Sequence, residues 1–172
     1  MLTRPTLLHS CARAATAAEA RFRIDVPIAP ARASRIIALD EVAAVVVRHV
    51  AAQAWATARF FTWDGSPGSA NGDGQGADAL TLRSMEGRVV LLGETLAGVD
   101  VAVMVAAGDV GADAAERIGR ACTARGIMTA GLILSDDAHL SRALAALRPH
   151  ARVLIVPAEQ DDLVQLLTAL RA

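Results

Sequence analysis

From about residue 35 onward, short continuous apolar runs alternate with longer stretches of helical periodicity. Arg35-Ile-Ile-Ala-Leu39 is the first such run and predicts a buried strand. Asp40 follows directly, and its carboxylate suits the N-cap of a helix predicted over Glu41–Thr57, where it would accept from a free first-turn amide. Arg59-Phe-Phe-Thr-Trp-Asp64 is aromatic and β-prone, a second strand. Ala79–Leu82 and Arg88–Leu92 fit either a hairpin or one bent strand turning near Gly87, and Glu94–Gly98 fits a single helical turn. The central strand is Val99–Ala107, apolar on both faces except for Asp100 at its start.

The same alternation continues to the last residues. Ala112–Arg125 reads as a helix and Ile127–Leu134 as a strand. Asp136-Asp137 suits the cap of a helix running to about Leu147, which Pro149 ends from beyond. Arg152–Val156 is the last strand. Leu163, Val164, Leu166, Leu167 and Leu170 form an apolar stripe on a final helix, with Asp161 and Asp162 near its positive end. Strands that are apolar on both faces need helices above and below. The expected fold is therefore α/β: a three-layer, doubly wound, mostly parallel sheet of Rossmann-like type.

Two segments stand apart from this alternation. Residues 1–34 scatter Arg4, Arg13, Arg21, Arg23 and Arg32 among alanines, with Pro5, Pro27 and Pro30 breaking any long helix. This is expected to be an irregular arm beside a single α/β domain over residues 35–172, ordered only against a partner or that domain. Leu7-Leu8 is too brief for a secretory apolar core, so no signal peptide is expected. Residues 65–78 are glycine-rich and lack apolar side chains, the composition of a flexible loop. Gly72, Gly74 and Gly76 imitate a phosphate fingerprint, but the third spacing is wrong and no strand leads directly in.

Composition removes several functions. The 172 residues carry a net charge of −1, so no overall field draws nucleic acid or a membrane surface. Every basic residue is Arg; with no Lys there is no Walker-type lysine, Schiff base or lysine general base. No apolar run approaches the roughly 18 residues of a membrane span. Cys11 and Cys122 are isolated thiols without disulfide or metal spacing, Cys122 reading as a small core residue. A reducing cytoplasm is the expected compartment.

Val99-Asp-Val-Ala-Val-Met-Val-Ala-Ala-Gly108, the helix from Gly111 and Gly126-Ile-Met-Thr-Ala-Gly131 together resemble the tubulin/FtsZ GTPase domain. The likeness spans roughly residues 35–158, with Arg152–Val156 similar to the strand before that family's base-binding loop. It implies a nucleotide site at the turn after the central strand. The departures imply its loss. Where the family has a glycine- and threonine-rich loop whose bare amides cradle phosphate, this chain has Asp109-Val-Gly-Ala-Asp113, shorter and with bulk at Val110. Asp109 and Asp113 are expected to satisfy the dipole of the helix that follows them. Leu39-Asp-Glu-Val runs almost straight into helix, and no second domain that would supply hydrolytic acids is expected. GTP hydrolysis is not expected.

The remaining candidate chemistry is sparse. His9, His49, His139 and His150 show no metal spacing and read as surface or capping residues. Asp64 ends the second strand where doubly wound folds read a ribose hydroxyl, or else is a turn residue before Gly65. The favoured expectation is a non-catalytic accessory, scaffolding or regulatory subunit without cofactor or metal. It would associate with protein partners or copies of itself through the arm, the glycine-rich loop and the valine-rich first helix (Val42, Val45, Val46, Val47, Val50). The alternative is a nucleotide- or small-anion-binding module, or a subunit of a larger enzyme complex. In the former, Gly108, Asp109, Gly111 and the amides leading into Ala112 are the remaining cradle and Asp64 the ribose reader.

Overall fold

The computed structural model describes residues 30–63, 65, 77–135 and 141–172, and Ala31–Ala172 forms one compact unit. Arm residues 1–29, Asp64, the glycine-rich residues 66–76 and Asp136, Asp137 and His139 lie outside the described residues. Seven strands form one sheet: β1 Ser34–Ala38, β2 Ala58–Trp63, β3 Thr81–Ser84, β4 Val89–Leu91, β5 Val101–Ala106, β6 Met128–Ile133 and β7 Val153–Ile155. Among the described residues the helices are α1 Glu41–Ala51, α2 Leu92–Thr95, α3 Ala112–Ala124, α4 Ser141–Leu147 and α5 Gln160–Leu170, with a 3-10 turn at Ala77–Ala79.

The strand order is β4-β3-β2-β1-β5-β6-β7. β2, β1, β5, β6 and β7 are mutually parallel, while β3 and β4 are antiparallel additions at the β2 edge. Gly87 lets the β3–β4 connection close at a φ of +85°, a left-handed conformation that costs other residues more. The hairpin alternative for this segment therefore holds, and the single bent strand does not.

The sheet is covered on both faces, which explains its apolar strands. Ile36, Ala38, Phe60, Val101, Val103 and Val105 face α1 and α5, meeting Ala43, Val47, Val50, Leu163 and Leu167. Ile37, Phe61, Ala102, Met104 and Ala106 face the other layer, where α2, α3 and α4 supply Leu92, Ala115, Ile118, Cys122 and Leu147. All six residues of β5 are buried, as the middle strand of a three-layer sandwich requires. The architecture is the Rossmann-like α/β arrangement that the alternation predicts.

Two local expectations need correction. α1 ends at Ala51 rather than near Thr57, because the indole of Trp55 turns back to donate to the Val50 carbonyl at 2.8 Å, and the Ala52 and Gln53 amides close the last turn. The valine-rich face of α1 is also divided. Val47 and Val50 are fully buried, whereas Val42 and Val45 are 65% and 56% exposed.

Candidate functional site

The strand order reverses direction at β1, whose neighbours are β2 on one side and β5 on the other. In open α/β sheets the crevice outside the carboxyl ends of two such strands is where ligands sit. Here those ends lead into Leu39-Asp40 and Ala107-Gly108, held side by side by the Leu39 amide donating to the Val105 carbonyl at 2.9 Å.

Asp40 fills the space between them. One carboxylate oxygen accepts from the Ala43 amide at 2.8 Å, the N-cap bond that the sequence predicts. The other accepts from the amides of Ala107 at 2.7 Å and Gly108 at 3.0 Å. A single side chain thus caps α1 and ties it to the loop after β5. Backbone amides converging on an anion are how such a crevice holds phosphate. In this chain the anion is its own carboxylate. Sequence reasoning finds the cap but not the second contact, which depends on β1 and β5 being adjacent. The available signal is an aspartate immediately following the first strand of a parallel sheet.

The loop after β5 is drawn away from its own helix as well. The sequence assigns Asp109 to the N-terminus of α3, yet α3 has Gly111 at its N-cap and receives no side-chain cap. Asp109 instead accepts from the Ala143 amide, in the first turn of α4, at 2.8 Å. The turn of backbone that carries α3 points the Asp109 side chain toward the neighbouring helix. Asp113 lies in the first turn of α3 and is largely exposed, pairing with Arg142 of α4 at 3.3 Å. Both carboxylates therefore fasten α4 beside α3.

The Ala112 amide donates to the Asp109 carbonyl at 3.2 Å. Gly111 is packed so tightly that a Cβ there would stand 2.3 Å from the Leu39 carbonyl oxygen, so its glycine serves close approach between backbones. A Cβ added at Gly108 would meet no atom within 4 Å, and Val110 is 78% exposed. Gly108, Asp109 and Gly111 thus lie in the loop before α3 and Ala112 opens that helix, with the amides of Gly108 and Ala112 and the carboxylate of Asp109 engaged by protein groups. Asp64 lies outside the described residues.

The remaining polar candidates have structural roles. Thr129, buried on β6, donates its hydroxyl to the His150 carbonyl. His150 lays its ring over Gly119 of α3, with Nδ1 3.2 Å from the Thr123 hydroxyl. His49 is exposed on α1. Cys122 is fully buried, and burial pushes its thiol up to about 11. Among the described residues no group of three or more His, Cys, Asp or Glu could hold a metal, and no helix is long and apolar enough to cross a membrane.

No protein-family model, curated protein or solved structure matches the chain. Its class follows from its own architecture: a Rossmann-like α/β domain whose switch-point crevice is bridged by an internal carboxylate.

Proposed function

We propose that this chain works by protein association, as a non-catalytic accessory, scaffolding or regulatory subunit carrying a degenerate nucleotide-binding fold of tubulin/FtsZ type. The observation that supports this reading is the carboxylate of Asp40 on the Ala107 and Gly108 amides. A phosphate entering that crevice would have to displace a covalently tethered anion and would meet the Asp109 carboxylate beside it. Close to these loops Val42 and Val45, three residues apart on α1, and Val110 expose apolar surface. Val42 and Val45 share one face of α1 and supply the apolar contact that such a partner would cover.

Two measurements test the reading together. Melting the purified protein with millimolar GTP, ATP, NAD or coenzyme A should leave its transition unmoved, since a ligand of the native state raises it by mass action. Sedimentation and native pull-down should recover an assembly that Val42→Glu with Val45→Glu abolishes without lowering the melting temperature. A shift of several degrees with any nucleotide, or a monodisperse monomer without a recoverable partner, overturns the proposal.

A further inference from the structure

The opposite end of the sheet carries a cleft that the association reading does not use. β3 pairs with β2 only from Phe61 to Trp63, because the hairpin turns at Met85–Gly87. The first half of β2, Ala58–Phe60, is left without a strand on that side. The gap is a cleft of about 510 Å³, walled by Trp55 and Phe60 and flanked by Arg59, Arg88 and Glu86. That volume falls in the range of small-molecule sites, and an apolar wall with a few charged groups at its rim is their usual chemistry. Three free residues of strand edge are too few for a peptide to add as a strand, which favours a compact ligand.

The charges specify the ligand further. Arg59 stands directly opposite Arg35 in the parallel register of β1 and β2, so both guanidiniums share one face. Like charges directly opposite across strands destabilise a sheet. Arg35 is half-buried and spends its donors on carbonyls, Nε to Thr95 at 3.1 Å and a terminal nitrogen to Ser34 at 3.1 Å. Burial, and then the neighbouring Arg59, lower its pKa. Glu86 is the carboxylate among the cleft residues; its hydrogen bond with Ser84 first, and Arg88 and Arg59 after, hold it below the usual carboxylate range. Two arginines against one glutamate leave the rim with an excess of one positive charge.

We infer that this cleft binds a small organic anion, a flat aromatic body bearing a single carboxylate or phosphate. The ring lies against Trp55 and Phe60, whose own rings are 6.4 Å apart and tilted at 52°. The anionic group reaches past the unpaired β2 edge to Arg59, whose side chain leaves the sheet on the face opposite Phe60, and to Arg88, both of which line the same cleft; guanidinium geometry favours paired hydrogen bonds to an oxyanion. Binding offsets the Arg35–Arg59 repulsion that the free protein carries.

The test is a titration of the full chain with 2-naphthoate, with neutral 2-naphthylmethanol and with inorganic phosphate. It is followed by calorimetry and by the indole N–H resonance of Trp55, assigned with Trp55→Phe. Naphthoate should bind saturably and move that resonance, while the alcohol and phosphate alone bind at least about tenfold more weakly. Arg59→Gln and Arg88→Gln should each weaken naphthoate about tenfold or more. Arg59→Gln should also melt at or above the unmodified protein, because Arg35 loses its like-charged neighbour, so weaker binding cannot be ascribed to unfolding. Equal affinity for acid and alcohol, affinity unchanged in both arginine variants, a lower melting temperature for Arg59→Gln, or no saturable binding at millimolar ligand overturns the inference.

Discussion

The carboxylate of Asp40 accepts the Gly108 amide at 3.0 Å, joining two loops 68 residues apart in the chain. The same side chain accepts from Ala107 and Ala43, so three backbone donors depend on it. Asp40→Ala removes an N-cap, worth roughly 0.5–2 kcal/mol. It also strips two partly buried amides of their acceptor, each loss costing about 1–3 kcal/mol unless water replaces it. Asp40→Ala should therefore lower stability by about 2.5 kcal/mol or more in urea denaturation, and by less where water takes over the amides. Asp40→Asn, which keeps an acceptor oxygen, should lose less. A loss below about 0.5 kcal/mol for the alanine variant would show that the bridge contributes nothing net.

Freeing those amides has a second consequence. In Asp40→Gly the Ala107 and Gly108 donors have no internal anion, and α1 presents its positive end to the same space. Phosphate or sulfate at tens of millimolar should raise the melting temperature of Asp40→Gly more than that of the unmodified chain, measured against chloride at equal ionic strength. Equal shifts in the two proteins would mean that the carboxylate is not standing where an anion would bind.

The order of elements is legible in the sequence because buried parallel strands need uninterrupted apolar runs, and Ile36–Leu39, Val101–Ala107 and Ile127–Leu134 supply them. Chain-local chemistry is legible too: Asp40 as a cap and Cys122 as a core residue both follow from neighbours within one turn. What escapes reading depends on register. The second bond of Asp40, the reach of Asp109 to Ala143 and the alignment of Arg35 with Arg59 exist only because particular strands lie side by side. Ala52–Thr57 reads as helix because its alanines tolerate one; the return of Trp55 to Val50 is a side-chain contact that propensity does not register.

Asp109 should behave as a cap for a helix that is not its own. Asp109→Ala leaves the Ala143 amide without its carboxylate acceptor and should cost roughly 0.5–2 kcal/mol. The loss should be felt first in α4, as faster amide hydrogen exchange at Ala143–Leu147 than in α3. Protection lost chiefly in α3 would contradict the assignment.

Gly108 and Gly111 lie in one loop and should respond oppositely to the same added methyl. Gly111→Ala places a Cβ 2.3 Å from the Leu39 carbonyl oxygen and 2.6 Å from its Cβ, a backbone collision that rotamer changes cannot relieve. A cost of about 1–3 kcal/mol or more is expected, with β1 and the start of α3 forced apart. At Gly108 nothing lies within 4 Å of the new atom, so Gly108→Ala should stay within about 0.5 kcal/mol. Comparable losses at both positions in thermal melts would mean that the loop does not pack as described.

The alkaline limb of stability offers a clean test of the core, because the chain has no Lys and no Tyr to titrate there. Burial raises the Cys122 thiol from 9.0 to about 11, so the folded protein keeps its proton where the unfolded chain has begun to lose it. Stability from this group is complete below pH 9 and is lost as pH rises toward 11, since ionisation there favours the unfolded state. Measured in a Cys11→Ser background, urea midpoints should fall between pH 9 and 11, and Cys122→Ala should flatten that fall while lowering stability at neutral pH. In the same background, 5,5′-dithiobis(2-nitrobenzoate) at about pH 8 should label Cys122 only as fast as the protein opens. Rapid labelling of the folded protein, or a pH profile unchanged by Cys122→Ala, would place the thiol outside the packed layer between α3 and the sheet.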